Sequence, residues 1–190
     1  MFDMTPRRNL ILVCTDKTKA YANYFQLLIS SKDDSEESVK GVQDGSVDTS
    51  VWTEEQFDAN RVGLSSQEHI IFVGESSMID AECRLMENKF DNLGMQYGWL
   101  GKRGYIRVSK KGLSHDEYQQ FLSFAKPYQE FERVKFSLAE KPAEAEKVNV
   151  IRKIASVIPD FSAKKEIMDQ QFRCLILVMY LKGLNDFLEG

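Results

Sequence analysis

The chain has 190 residues, 43% of them hydrophobic and 28% charged, and a net charge of −4. That is globular composition, and the length allows one domain with a real core plus an extension. The acidic balance argues against DNA or RNA as the main partner, since phosphate binding needs a basic footprint. Three scattered cysteines without a CxxC pair, and only two histidines, argue against a disulfide scaffold and a structural zinc site.

Taken in chain order, Asn9 to Cys14 reads as a buried strand, apolar on both faces and ended by the polar Thr15-Asp16-Lys17-Thr18. Ala20, Tyr24, Phe25 and Leu28 then recur at helical spacing. Residues 32 to 46 are charged and loop-like, and Asp44-Gly45 suits a local hairpin. Val47, Thr49 and Val51 alternate into Trp52, a second strand, and "EEQFDANRVGL" is a weak helix or ordered loop. His69 to Val73 is a third strand. Ser76 or Ser77 starts a helix whose core stripe is Ile79, Cys83, Met86 and Phe90, with Ser77 and Asp80 as a capping box. Residues 94 to 104 form a glycine-rich loop, and Tyr105 to Val108 is a fourth strand. Ser114 and Glu117 cap the next helix. Val134, Phe136 and Leu138 alternate as a fifth strand.

Strand and helix alternate through residue 138, with interior strands apolar on both sides. This predicts a three-layer α/β/α fold around a five-stranded parallel sheet in the flavodoxin-like order 2-1-3-4-5. Residues 1–138 form that domain. Residues 139–190 form a C-terminal helical extension packed on it, two helices split at Pro159. The apolar run from Cys174 to Leu181 is too short to span a bilayer, and the run after Arg7 and Arg8 is too short for a signal peptide. No membrane span and a cytoplasmic location are expected. The last helix is apolar on more than one side, which predicts a homo-oligomer formed through the C-terminal helices.

In the order 2-1-3-4-5 the sheet opens into a crevice at the carboxyl ends of strands 1 and 3. Thr15, Asp16, Lys17, Glu75, Ser76 and Ser77 stand there, with Trp52 nearby. Asp16 is either the cap of the first helix or a ligand residue. The string Asp16-Lys17-Thr18 resembles the phosphorylated aspartate of ion-pumping ATPases, but Lys19 and Ala20 replace the next two motif residues and no downstream acidic pair is present to hold magnesium. The glycine-rich loop adds Trp99, Lys102 and Arg103, flat and cationic groups suited to a ligand. It is not a P-loop, since Gln96 and Arg103 stand where glycine and Ser/Thr are needed. No metal site is expected.

Two stretches resemble the Toll/interleukin-1 receptor (TIR) domain superfamily: "LILVCTDKTKAYANYF", a first strand running into a polar loop with an Asp, and "HIIFVGESSMIDAEC", with Ser76 and Glu82 at the Ser and Glu of Ser-x-Trp-Cys-x-x-Glu and Met78-Ile79 in place of Trp-Cys. The resemblance spans about residues 9 to 138. It implies the five-stranded parallel fold and a nucleotide-binding or NAD-processing role, with Glu82 as the catalytic carboxylate at the ribose and NAD or a related nucleotide as ligand or substrate. A carboxylate there can stabilise an oxocarbenium-like state. Trp52 or Trp99 would hold the nicotinamide, and Lys17, Lys102 or Arg103 the pyrophosphate. The alternative is a non-enzymatic, self-associating interaction module of the same fold. A receiver-like phosphate acceptor is a poorer fit, since only one acidic residue stands between 15 and 20.

Overall fold

Runs that are apolar on both faces become the inner strands of the sheet, because only there are both faces covered. They are β1 (Arg8–Cys14) and β3 (His69–Val73), hydrogen-bonded in parallel with Leu10 opposite His69 and Cys14 opposite Val73. The alternating segment becomes β2 (Val47–Thr53), an edge strand parallel to β1. The computed structural model describes residues 8–30, 47–64, 68–136 and 163–189. The Asp44-Gly45 hairpin, the first of the two expected C-terminal helices, the split at Pro159 and residues 137 and 138 lie outside them.

The sheet has six strands in the order β2-β1-β3-β6-β5-β4. The expected fourth strand is β6 (Arg103–Val108), parallel to β3, so the first four places follow the expected order. Beyond them the sheet differs from expectation. The glycine-rich loop is β5 (Met95–Leu100) and the turn into β6, and β4 (Glu87–Asn92) pairs antiparallel with β5 at the edge. Two-residue turns explain this. Leu93 and Gly94 both have positive φ, 52° and 78°, the pair of values that a type I′ turn requires. Gly101, at φ 61°, takes the first place of the turn between Leu100 and Arg103, where a tight hairpin favours glycine.

The helix after β3, α3 (Ser77–Cys83), is correspondingly short. Met86 and Phe90 keep helical spacing with Ile79 and Cys83 but are not on that helix. Phe90 lies in β4 and stacks on Tyr97 across the strand pair at 5.3 Å. The expected fifth strand is also absent. Val134 is in the last turn of α4 (His115–Lys135), exposed, and Phe136 caps that helix with its N–H donated to Glu132 O. A three-residue alternation does not outweigh a 21-residue helix opened by the Ser114–Glu117 capping box.

Helices lie on both sides of the sheet. On one side Leu10, Leu12, Cys14, Ile71, Val73, Ile106 and Val108 meet α1 (Lys19–Ser30), α4 and the last helix. That helix is α5 (Ala163–Val178), a π turn at Met179–Gly183, and α6 (Leu184–Glu189). Gly183 seats the π turn on Tyr97, where a Cβ would come within 2.9 Å of the ring. Tyr21 donates to Asp169 at 2.8 Å, Tyr24 donates to Glu132, and Arg173 pairs with Glu132 at 2.8 Å, locking α1, α4 and α5 together. The apolar surface that suggested self-association is thus spent inside the chain: Phe172, Cys174 to Tyr180, Leu184, Phe187 and Leu188 are all buried. Among the described residues no helix is long and apolar enough to cross a membrane.

On the other side, among the described residues, Ile11, Val13, Ile70, Phe72 and Tyr105 meet α2 (Glu54–Asn60), its 3-10 continuation and α3, through Phe57, Ile79 and Cys83. Among the described residues these short helices are the helical cover of this side, and they do not reach β5 or all of β6.

Candidate functional site

The crevice at the carboxyl ends of β1 and β3 is filled by Thr18. Its hydroxyl donates to Val73 O at 2.7 Å and accepts from Thr15 N at 3.0 Å. Its one proton is therefore used, and the Thr15 hydroxyl, 3.0 Å away, donates to it. Thr18 Cγ2 lies 2.7 Å from where a Cβ of Gly74 would be, and Gly74 has φ 108°, a conformation that favours glycine. Thr18, not Asp16, stands at the start of α1: its carbonyl accepts from Tyr21 and Ala22 N–H. Asp16 and Lys17 are exposed.

The other crevice residues are held for structural purposes. Ser76, not Ser77, caps α3, accepting from Ile79 N at 3.0 Å and donating to Glu54 Oε2 at 2.9 Å. Ser77 is exposed and Glu75 half-buried. Trp52 packs against the second-face core, and its carbonyl accepts from Cys14 Sγ at 3.4 Å. Burial pushes the Cys14 thiol pKa up.

Glu82 lies elsewhere. α3 leaves the carboxyl end of β3 and runs back, so its last turn reaches the amino ends of the strands. There Glu82 Oε1 meets Arg61 Nη2 at 2.9 Å, with the Glu82 side chain 30% exposed. It lines a groove of about 210 Å³ with Leu85, Met86, Leu100 and Arg103, and Arg103 is the residue opposite Ile70 near the start of β3. The structure therefore brings Glu82 to Arg61 and Arg103, and not to Asp16 or Trp52. Arg103 donates to the carbonyls of Glu68 and Lys102, and burial lowers its pKa. Trp99 is on the opposite face of β5, stacked on Tyr97 at 6.1 Å and beneath Lys89 at 5.5 Å.

A second groove, of about 270 Å³, lies between α3 and strands β5 and β6. Strand alternation builds its floor: Tyr105 and Arg107 project from β6 on the same face as Arg103, and Gln96 from β5. Asp80 and Cys83 of α3, and Arg84, Met86 and Asn88 after it, make the wall. Arg107 stacks over Tyr105 at 4.5 Å, and its buried Nε has no hydrogen-bond partner among the described residues. Among the described residues neither Arg84 nor Arg107 forms a salt bridge. Burial pushes the Cys83 thiol up to about 12, although Arg107 opposes the shift, so at neutral pH it is protonated and a poor nucleophile. Burial raises the pKa of Tyr105 as well. Such a groove can hold a phosphate or carboxylate by charge-assisted hydrogen bonds. Among the described residues no cluster of three or more His, Cys, Asp or Glu is placed to hold a metal ion.

Arg84, Gln96, Tyr105 and Arg107 escape the sequence reading. The signal is present: Arg103, Tyr105 and Arg107 alternate along one strand, which places all three on one face. No protein-family model, no curated protein and no solved structure matches the chain.

Proposed function

We propose that the protein is a binding module that takes a small phosphate- or carboxylate-bearing ligand, nucleotides included, in the groove between α3 and β5–β6. The observation that carries this is the meeting of two guanidinium groups, Arg84 and Arg107, in one groove without a salt-bridge partner among the described residues, in a chain of net charge −4. A buried guanidinium edge without an acceptor is costly unless something supplies one, and an anion does so. Tyr105 is buried beneath Arg107, so the groove reads charge and hydrogen-bonding shape rather than a stacked ring. A nucleotide would place its phosphates here and its base outside. With the Cys83 thiol protonated at neutral pH, the lining offers no activated nucleophile, and the reading is of a binder rather than a catalyst.

The test is thermal unfolding with millimolar pyrophosphate, ADP, NAD and citrate, followed by calorimetry on whichever stabilises. A ligand at one hundred times its Kd stabilises by about 2.7 kcal/mol. Arg107→Gln and Arg84→Gln should each remove the shift while leaving the unliganded melting point nearly unchanged. Stabilisation by none of these anions, or stabilisation that survives both substitutions, would remove the reading.

A further inference from the structure

The groove at the amino ends of the strands has a different character from the anion groove beside it. Its lining includes two leucines from separate elements: Leu85, in the turn after α3, 75% exposed, and Leu100, the last residue of β5, 56% exposed. Met86 lines the same groove. Single exposed leucines need no explanation, but here two exposed leucines line one groove. The charged residues of its lining are Arg84, Arg103 and Glu82, and the Glu82 charge is engaged by Arg61, which also faces Asp58, so Arg84 and Arg103 set the sign of the lining. This is a cationic rim on an acidic chain. Among the described residues Arg103 donates to backbone carbonyls through Nη1.

We propose that this surface docks an acidic segment of a partner polypeptide through a large apolar side chain. That side chain would sit on Leu85, Met86 and Leu100 while neighbouring Asp or Glu residues meet Arg84 and Arg103. Charge complementarity assigns the acidic character of the partner. Arginine is enriched among interface hot spots, and Arg84 and Arg103 both line this groove. The leucines stand out into solvent rather than lining an enclosed cavity, which suits a side chain presented by a backbone better than an acyl chain, which needs enclosure. No aromatic face is open in the groove to stack a base, which separates it from single-stranded nucleic-acid sites. The surface is preformed, set by the tight Leu100–Arg103 turn and by the end of α3, so little ordering accompanies binding. Arg84 borders both grooves and Arg107 only the anion groove.

The experiment pans a random-peptide display library against the full chain, with the Leu85→Ser/Leu100→Ser double variant as counter-selection. Both positions are exposed, so the variant should melt at nearly the same temperature as the wild type. Enriched peptides should combine Asp or Glu with Leu, Ile, Phe or Met. Measured by fluorescence anisotropy, they should bind about tenfold or more weakly to Leu100→Ser and to Arg84→Glu, and more weakly as salt rises. Arg107→Gln should leave peptide binding unchanged while removing small-anion binding, so failure of this proposal and failure of the anion reading are separate results. Enrichment of basic peptides, or of none that distinguishes wild type from the double variant, would overturn the proposal. So would a wild-type dimer that the double variant converts to monomer, since the surface would then belong to a second copy.

Discussion

The two faces of the sheet are built to different standards. One is sealed by α1, α4 and the long C-terminal helix, whose residues from Phe172 to Leu188 contribute a large share of the core. The other carries, among the described residues, two seven-residue helices that cover β1 and β3 and stop short of β5. The sealed face spends its apolar groups on stability. The other face keeps Arg84, Arg103, Arg107, Gln96 and two exposed leucines in grooves. Surface side chains that the core does not need are the ones free to recognise something.

The largest contrast should come from truncating one residue on each face. Phe187 is fully buried, packed edge-on to His69 at 5.1 Å and against Trp99 at 5.8 Å. Phe187→Ala should cost about 3–5 kcal/mol in urea unfolding. Leu100→Ser, on the open face, should change stability by less than about 0.5 kcal/mol. Comparable losses at both sites would show that the open face is part of the core after all.

Thr18 marks a second contrast, between the closed end of the β1/β3 crevice and the open groove. Thr18→Val keeps the shape and removes the donor to Val73 O, leaving a buried carbonyl short of its partner, at a cost of about 1–3 kcal/mol. Thr18→Gly removes the plug itself. If the crevice is closed for structural reasons only, the opened variant should gain no affinity for NAD or ADP in the same calorimetric assay, and a gain would restore the crevice as a site.

The parts of this architecture legible in the sequence are those set by local pattern. Buried strands such as Leu10 to Cys14 and Ile70 to Val73 are apolar on both faces, and the places of β2, β1, β3 and β6 follow. The hairpin is not legible in that way. Leu93 is not a residue associated with positive φ, so the Leu93-Gly94 turn is hidden, and the helical spacing of Met86 and Phe90 is accidental. The closing of the crevice rests on a contact between Thr18 and Val73, 55 residues apart, which no local pattern contains. The anion groove was within reach, because the alternation of Arg103, Tyr105 and Arg107 is a strand signal. The glycines around it disguise that strand as a loop. The TIR-like reading remains a proposal carried by two short stretches.

Alkaline titration sharpens the comparison of faces through two cysteines. Burial raises the pKa of Cys83, in the open groove, and of Cys174, on the sealed face, from 9.0 to about 12. A raised pKa means that the folded state holds its proton longer than the unfolded state does. The stabilisation is therefore complete below about pH 9 and is lost as pH rises toward 12, at up to about 1.4 kcal/mol per pH unit for each thiol. Burial raises the phenol pKa values of Tyr21 and Tyr24 in the same direction. Urea midpoints should fall between pH 9 and 11. In the folded protein iodoacetamide should reach Cys83 through the groove before it reaches Cys174, which requires opening of the helix. Equal alkylation rates would show that both thiols react only through global unfolding.

The smallest effect on stability is expected at Glu82, and it decides the most. The pair with Arg61 is partly exposed and belongs to a class worth about 0–1 kcal/mol, so Glu82→Gln should leave the fold nearly unchanged. The catalytic role implied by the TIR-like resemblance needs the carboxylate at a ribose. Glu82 instead lies at the amino ends of the strands, its charge taken up by Arg61, with Arg103 as its cationic neighbour and Trp52 at the other end. The binding-module reading expects no nicotinamide release from NAD by wild type or by Glu82→Gln, even at high protein concentration. Release by the wild type and none by the variant would instead give the catalytic role to the groove that Glu82 shares with Arg103, and the peptide docked there would have to compete with NAD. Equal release by both proteins would leave cleavage without Glu82 and move the search for its carboxylate to another part of the chain.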